Sequence, residues 1–101
     1  MADVFVQSKI REGKVTLFVK RGCPYCRNAV EMLKRYSFVP GCLQVFDITG
    51  LEDAQDYLQQ TTGQRTVPHV FMGRHCLGGL SDLENIEWKL PEMLRRLGVL
   101  Q

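Results

Sequence analysis

The sequence predicts an α/β domain: a four-stranded mixed sheet with helices on both faces. Three observations carry this prediction. Short apolar runs alternate with helix-spaced patterns, in the order α, then βαβ, then a helix, then ββα. The first two strand-like runs are separated by a whole helix, which makes them parallel with a right-handed crossover. The last two are separated by only Gly73-Arg74, a spacing that favours an antiparallel hairpin. The chain of 101 residues, 45% hydrophobic and 24% charged, reads as one domain, residues 1–101, with room for one core.

Taken in order, residues 2–11 form a first helix. Val6 and Ile10 share a face, Phe5 and Val6 are core, and Gly13 is the stop. Residues 14–19 are the first strand, nearly all apolar, as a central strand buried on both faces requires. A helix follows, with Ala29, Val30, Leu33 and Tyr36 spaced to face the sheet. Pro40-Gly41 marks a turn, and residues 43–48 are the second strand. Thr49-Gly50-Leu51-Glu52 has the form of a capping box for a helix that runs to about Thr62 and stops at Gly63. Leu51, Ala54 and Leu58 mark its buried stripe. Strands at residues 67–72 and 76–77 come next. Ser81-x-x-Glu84 is a second capping box right after Gly78-Gly79. Pro91 opens a last helix, with Leu94 and Leu97 inward, Gly98 at its end and Trp88 packed near the junction.

Composition removes several classes of function. Net charge is +2 and the 13 Lys and Arg are scattered, so no nucleic-acid footprint stands out. No apolar run approaches the roughly 20 residues of a membrane span. Met1-Ala2-Asp3 followed by three apolar residues does not read as a secretion signal.

The chemistry centres on Cys23-Pro24-Tyr25-Cys26, between the apolar run Val15 to Val19 and a helix. Pro24 suits the first helical position, which puts Cys23 at the N-cap and Cys26 at the third position. A sulfur anion at the cap meets the free N–H groups of Tyr25 and Cys26 and the positive end of the helix dipole. Lys20 and Arg21 add positive charge. Each effect favours a reactive thiolate at Cys23. Cys26 returns to the same face one turn on, within reach of a disulfide. By itself the pattern also suits half of a zinc site or an inert pair. A zinc site needs two further ligands from Cys42, Cys76, His69 and His75, which form no second knuckle.

Two further stretches offer a ligand surface. Val67, ahead of Pro68, is held extended with its N–H and C=O free for an added peptide strand, or it simply begins a strand. Gly78-Gly79-Leu80-Ser81-Asp82 lets a ligand approach the backbone, with N–H groups for an anion and Asp82 for an amine, or it is an ordinary capped turn.

These three stretches, in this order and spacing, closely resemble the dithiol glutaredoxins, also called thioltransferases, over essentially the whole chain. Phe5-Val6-x-Ser8-Lys9-Ile10, Asp47-Ile48-Thr49 and Gln55-Asp56-Tyr57-Leu58-Gln59-Gln60 look like the vertebrate-type cytosolic branch. Leu80, His69 and Ser8 depart from that branch. The resemblance implies a thioredoxin fold, sheet order 2-1-3-4, about five helices and a cis bond before Pro68. It implies glutathione as co-substrate, bound as an extended peptide, and no metal. Val67 would pair with its cysteinyl part, between Thr66, Pro68 and Tyr25. Lys20, Gln55 and Arg65 would face its glycine carboxylate, and Gly79, Ser81 and Asp82 its γ-glutamyl end. The implied enzyme is a cytoplasmic, monomeric glutathione–disulfide oxidoreductase acting on glutathionylated proteins through Cys23 and on protein disulfides through Cys23 and Cys26. Cys42 and Cys76 are then semi-buried and non-catalytic. A glutathione-ligated iron–sulfur carrier and a thioredoxin-type reductase are the alternatives. Pro24 and Tyr25 count against the first, and the missing Trp-Cys-Gly-Pro-Cys motif against the second.

Overall fold

In the computed structural model, which describes residues 2–101, the elements follow in the expected order. They are α1 (Ala2–Lys9), β1 (Val15–Val19), α2 (Pro24–Lys34), β2 (Leu43–Asp47) and α3 (Glu52–Thr62). There follow β3 (His69–Met72), β4 (His75–Gly78), α4 (Leu80–Asn85), a 3-10 turn at Glu87–Lys89, and α5 (Leu90–Leu97). The sheet order is β2-β1-β3-β4. β1 runs parallel to β2, with Val15 beside Leu43, and antiparallel to β3, with Phe18 beside His69. β3 and β4 form the antiparallel hairpin across Gly73-Arg74. This is the thioredoxin arrangement.

Alternation along β1 divides the interior into two layers. Val15 and Leu17 point one way, with Val70 and Met72, and are covered by Ala29 and Leu33 of α2, Leu83 of α4 and Leu94 of α5. Phe18 points the other way with Phe71, against Val6 of α1, Ile48, and Ala54 and Leu58 of α3. The Phe18 and Phe71 rings meet edge to face at 5.9 Å. The centre of β1 is therefore buried on both sides, which is why its sequence shows no polar alternation. The site grows from the end of this strand.

The structure corrects several expectations. Thr49 does not cap α3: Leu51 is the N-cap and makes no side-chain cap bond. Thr49 Oγ1 instead accepts the Arg21 N–H at 2.8 Å and donates to Asp47. Leu51 is 45% exposed rather than part of the stripe, because it precedes the first turn of the helix. Ser81 does not cap α4. The helix starts two residues earlier, with Gly79 at the cap and Asp82 at the third position. Trp88 is 81% exposed and packs in neither core layer, since the 3-10 turn carries it outward. β3 begins at His69, so Val67 lies ahead of the ladder. The chain end is tied down in a way no local pattern signals: Leu100 forms a bridge with Phe38.

Candidate active site

Cys23 occupies the N-cap of α2 in extended conformation, with Pro24 opening the helix. Its Sγ accepts the Cys26 backbone N–H at 3.1 Å. Of the two N–H groups expected at the sulfur, this is the one that bonds. The Cys23 sulfur is partly exposed, while Cys26, one turn on, is buried. Burial first, and then its hydrogen bond with Cys23, push the Cys26 thiol up to about 12. The pair is thus asymmetric: an accessible sulfur held by a helix N–H, and a protonated thiol behind it. All four cysteines are unpaired.

The Val67 carbonyl lies 4.0 Å from Cys23 Sγ. The Val67–Pro68 bond is cis. Among the described residues, neither the N–H nor the C=O of Val67 takes part in a backbone–backbone hydrogen bond. Immediately behind this wall is His69, fully buried, with neither ring nitrogen bonded. Burial lowers its pKa.

A groove of about 700 Å³ opens beside this wall. Lys20, Tyr25, Gln55 and Arg65 line it, as do Thr66, Val67 and Pro68, and Gly79, Ser81 and Asp82. All ten predicted groove residues therefore come together. Lys20 Nζ donates to Gln55 Oε1 at 3.3 Å, joining the end of β1 to the buried face of α3. Tyr25 is 66% exposed beside the thiols. Arg65 is not a free cation. Its guanidinium reaches Glu52 at 2.9 Å, Gln59 at 3.1 Å and Asp56, all on α3. Arg21 turns away to Asp47, with Nε 3.6 Å from Oδ2, so its expected contribution at Cys23 is redirected.

At the other end, Asp82 folds back onto the turn and accepts the Gly79 N–H at 2.9 Å. That contact needs glycine at 78. Its φ is +122°, where side chains are strained, and a Cβ there would stand 2.7 Å from Asp82 Cγ.

Gln64 and Glu84 also line the groove and escape the sequence reading, and Leu80, noted there only within the glycine stretch, lines it as well. Leu80 and Glu84 lie four apart on α4, so the correct cap at Gly79 would have placed them on one face. Cys42 and Cys76 lie apart, each packed against one core layer, and burial raises the Cys76 pKa. Among the described residues, no group of three or more His, Cys, Asp or Glu is disposed to hold a metal ion.

The arrangement suits thiol–disulfide exchange beside an extended ligand. Comparison with known proteins agrees. The glutaredoxin family model matches residues 15–77. Glutaredoxin-1 of Gallus gallus is 63% identical over 100 residues, covering 99% of each chain. Glutaredoxin-1 of Homo sapiens is 47% identical over 106 residues, covering 100% of each. Among solved structures, the buckwheat glutaredoxin–glutathione complex matches with a TM-score of 0.88 at 27% identity, over 100% of this chain and 94% of that one. Oxidized glutaredoxin 2 from Chlamydomonas reinhardtii gives 0.84 at 31% identity, over 98% and 95%.

Proposed function

The chain belongs to the glutaredoxin family, and from that premise we propose how its two thiols and its groove are used. It is a glutathione-dependent thiol–disulfide oxidoreductase, with glutathione as co-substrate. The observation that carries the detailed reading is the asymmetry of the pair. Cys23 is accessible and bonded to a helix N–H, while the Cys26 thiol is buried and pushed up to about 12.

In the monothiol route, the Cys23 thiolate attacks the glutathione sulfur of a protein–glutathione disulfide. That S–S bond breaks, a Cys23–glutathione disulfide forms, and the protein sulfur leaves as a thiolate that takes up a proton. A second glutathione thiolate then attacks the bound glutathione sulfur, freeing Cys23 and releasing oxidised glutathione. In the dithiol route, Cys23 attacks a protein disulfide and forms a mixed disulfide with it. Cys26, deprotonated in the step, attacks Cys23 Sγ, which leaves the 23–26 disulfide and a reduced substrate.

The groove supports glutathione lying extended along Val67, with main-chain bonds to its N–H and C=O, which make no backbone–backbone bond of their own. Thr66, Pro68 and Tyr25 shape that centre. Lys20, with Gln55 and Arg65, takes the glycine carboxylate, while Gly79, Ser81 and Asp82 take the γ-glutamyl end. Among the described residues no helix is long and apolar enough to cross a membrane. The reading takes residues 1–101 as a single domain, a monomer working in the cytoplasm on glutathionylated and disulfide-bearing proteins, where thiols are kept reduced.

Cys26→Ser tests the division of labour, with Cys23→Ser as the blank. The Cys26 variant is expected to keep turnover of a glutathionylated peptide and to lose reduction of a protein disulfide. Loss of both activities would sink the monothiol route.

A further inference from the structure

The concave surface at Cys23 extends beyond the glutathione groove. A second groove, of about 350 Å³, runs along the flank of α2. Cys23 and Cys26 both line it, together with Lys20, Arg27, Glu31 and Lys34. Lys20 borders both grooves. Cys23, Arg27, Glu31 and Lys34 recur at three- and four-residue spacing, so they form one face of the helix. Three cations against one carboxylate leave an excess of two positive charges, and Arg27 and Lys34 against Glu31 still leave an excess of one when Lys20 serves the first groove. Among the described residues, none of those four charged groups enters an ion pair. The contrast with Arg65 is direct, since α3 supplies two carboxylates to that guanidinium.

We propose that this second groove docks the polypeptide partner, as an acidic stretch flanking the partner's disulfide-bonded cysteine. The proposal rests on the reading of the first groove as the glutathione site. With the glutathionyl group seated there, the flank of α2 is a concave surface that still meets Cys23 and can take the partner's chain. The unpaired cations select its charge. Their spacing selects where that charge lies. Arg27 stands about 6 Å and Lys34 about 17 Å along the helix axis from the cap. At about 3.3 Å per extended residue, those distances correspond to acidic residues about two and five positions from the partner's cysteine.

Two glutathionylated peptides test this, identical except for Glu or Lys at the second and fifth positions from the cysteine. The protein is expected to turn over the acidic peptide with a kcat/KM about three- to tenfold higher at low salt. The preference should collapse in about 1 M salt, where the Debye length is about 3 Å. Arg27→Gln with Lys34→Gln should bring the ratio near one, and Arg27→Glu with Lys34→Glu should invert it. Both peptides meet the same enzyme, so the ratio cancels any effect of the substitutions on Cys23 itself. Equal rates for both peptides in the unsubstituted protein, or the same preference in the double variants, would overturn the docking site. Turnover of neither peptide would overturn it together with the thiol-exchange reading beneath it.

Discussion

The two grooves that meet at Cys23 are built on different physical terms. The first is formed largely by backbone, with Arg65 and Asp82 held by other groups of the protein and Lys20 shared with the second. Val67 offers main-chain groups that make no backbone–backbone bond among the described residues, Arg65 is fastened to α3, and Asp82 is folded onto Gly79. Such a surface recognises shape and an extended main chain. The second groove runs along one face of α2, where, among the described residues, Arg27, Glu31 and Lys34 enter no ion pair. It discriminates by sign and tolerates variety in the chain that lies on it. That division suits a glutathione-dependent oxidoreductase whose co-substrate is constant and whose proposed polypeptide partner is read by charge.

The largest effect that would break the comparison comes from Gly78→Ala. A left-handed φ and the crowding against Asp82 should cost about 2 kcal/mol of stability. The variant should also raise the KM for glutathione while leaving the acidic-peptide preference intact. A urea midpoint and KM equal to those of the unsubstituted protein would show that the Asp82 turn does not shape the first groove.

A second effect comes from His69, buried behind the wall of the first groove. Its pKa in the folded protein is lowered, so below about pH 6.5 the unfolded chain takes up a proton that the folded one resists. The stability it contributes is present above that pH and is lost as pH falls towards the folded-state value. Thermal unfolding of the native protein should therefore decline more steeply from pH 7 to pH 5 than that of His69→Leu. Parallel curves would mean that His69 does not set acid sensitivity.

The smallest effect sharpens the comparison. Glu52→Gln removes one of the two carboxylates on Arg65 and makes the first groove more like the second. The pair is exposed, so the gain is modest: the KM for glutathione should fall about two- to threefold at low salt. An unchanged KM would assign Arg65 wholly to holding its loop on α3.

Much of the fold is legible in the amino-acid sequence. The α2 cap at Cys23, the stop at Gly63 and the hairpin at Gly73-Arg74 follow from residues a few positions apart, and the parallel pairing of β1 with β2 from the helix between them. The ten groove residues follow from family resemblance, and they do line one cavity. The misreadings share a cause. Both Thr49-x-x-Glu52 and Ser81-x-x-Glu84 have the right letters for a capping box, but a second valid frame lies nearby. Thr49 bonds to Asp47 and Arg21, and the Gly79 frame carries α4. A motif states what a side chain can bond, and neighbours brought in by the fold decide which bond forms.

Fold class, the place of the reactive pair and the polarity of that pair along its helix are all readable from the order of the amino acids. Those depend on local backbone preferences and on apolar periodicity. Long-range packing instead turned Trp88 and Leu51 to solvent, buried His69 with neither ring nitrogen bonded, and set Glu52 and Asp56 against Arg65. It also decided that Arg27 and Lys34 stand unpaired in a groove of their own. Burial and charge pairing are set by contacts between residues far apart in the chain, and a residue's neighbours in sequence carry no record of them.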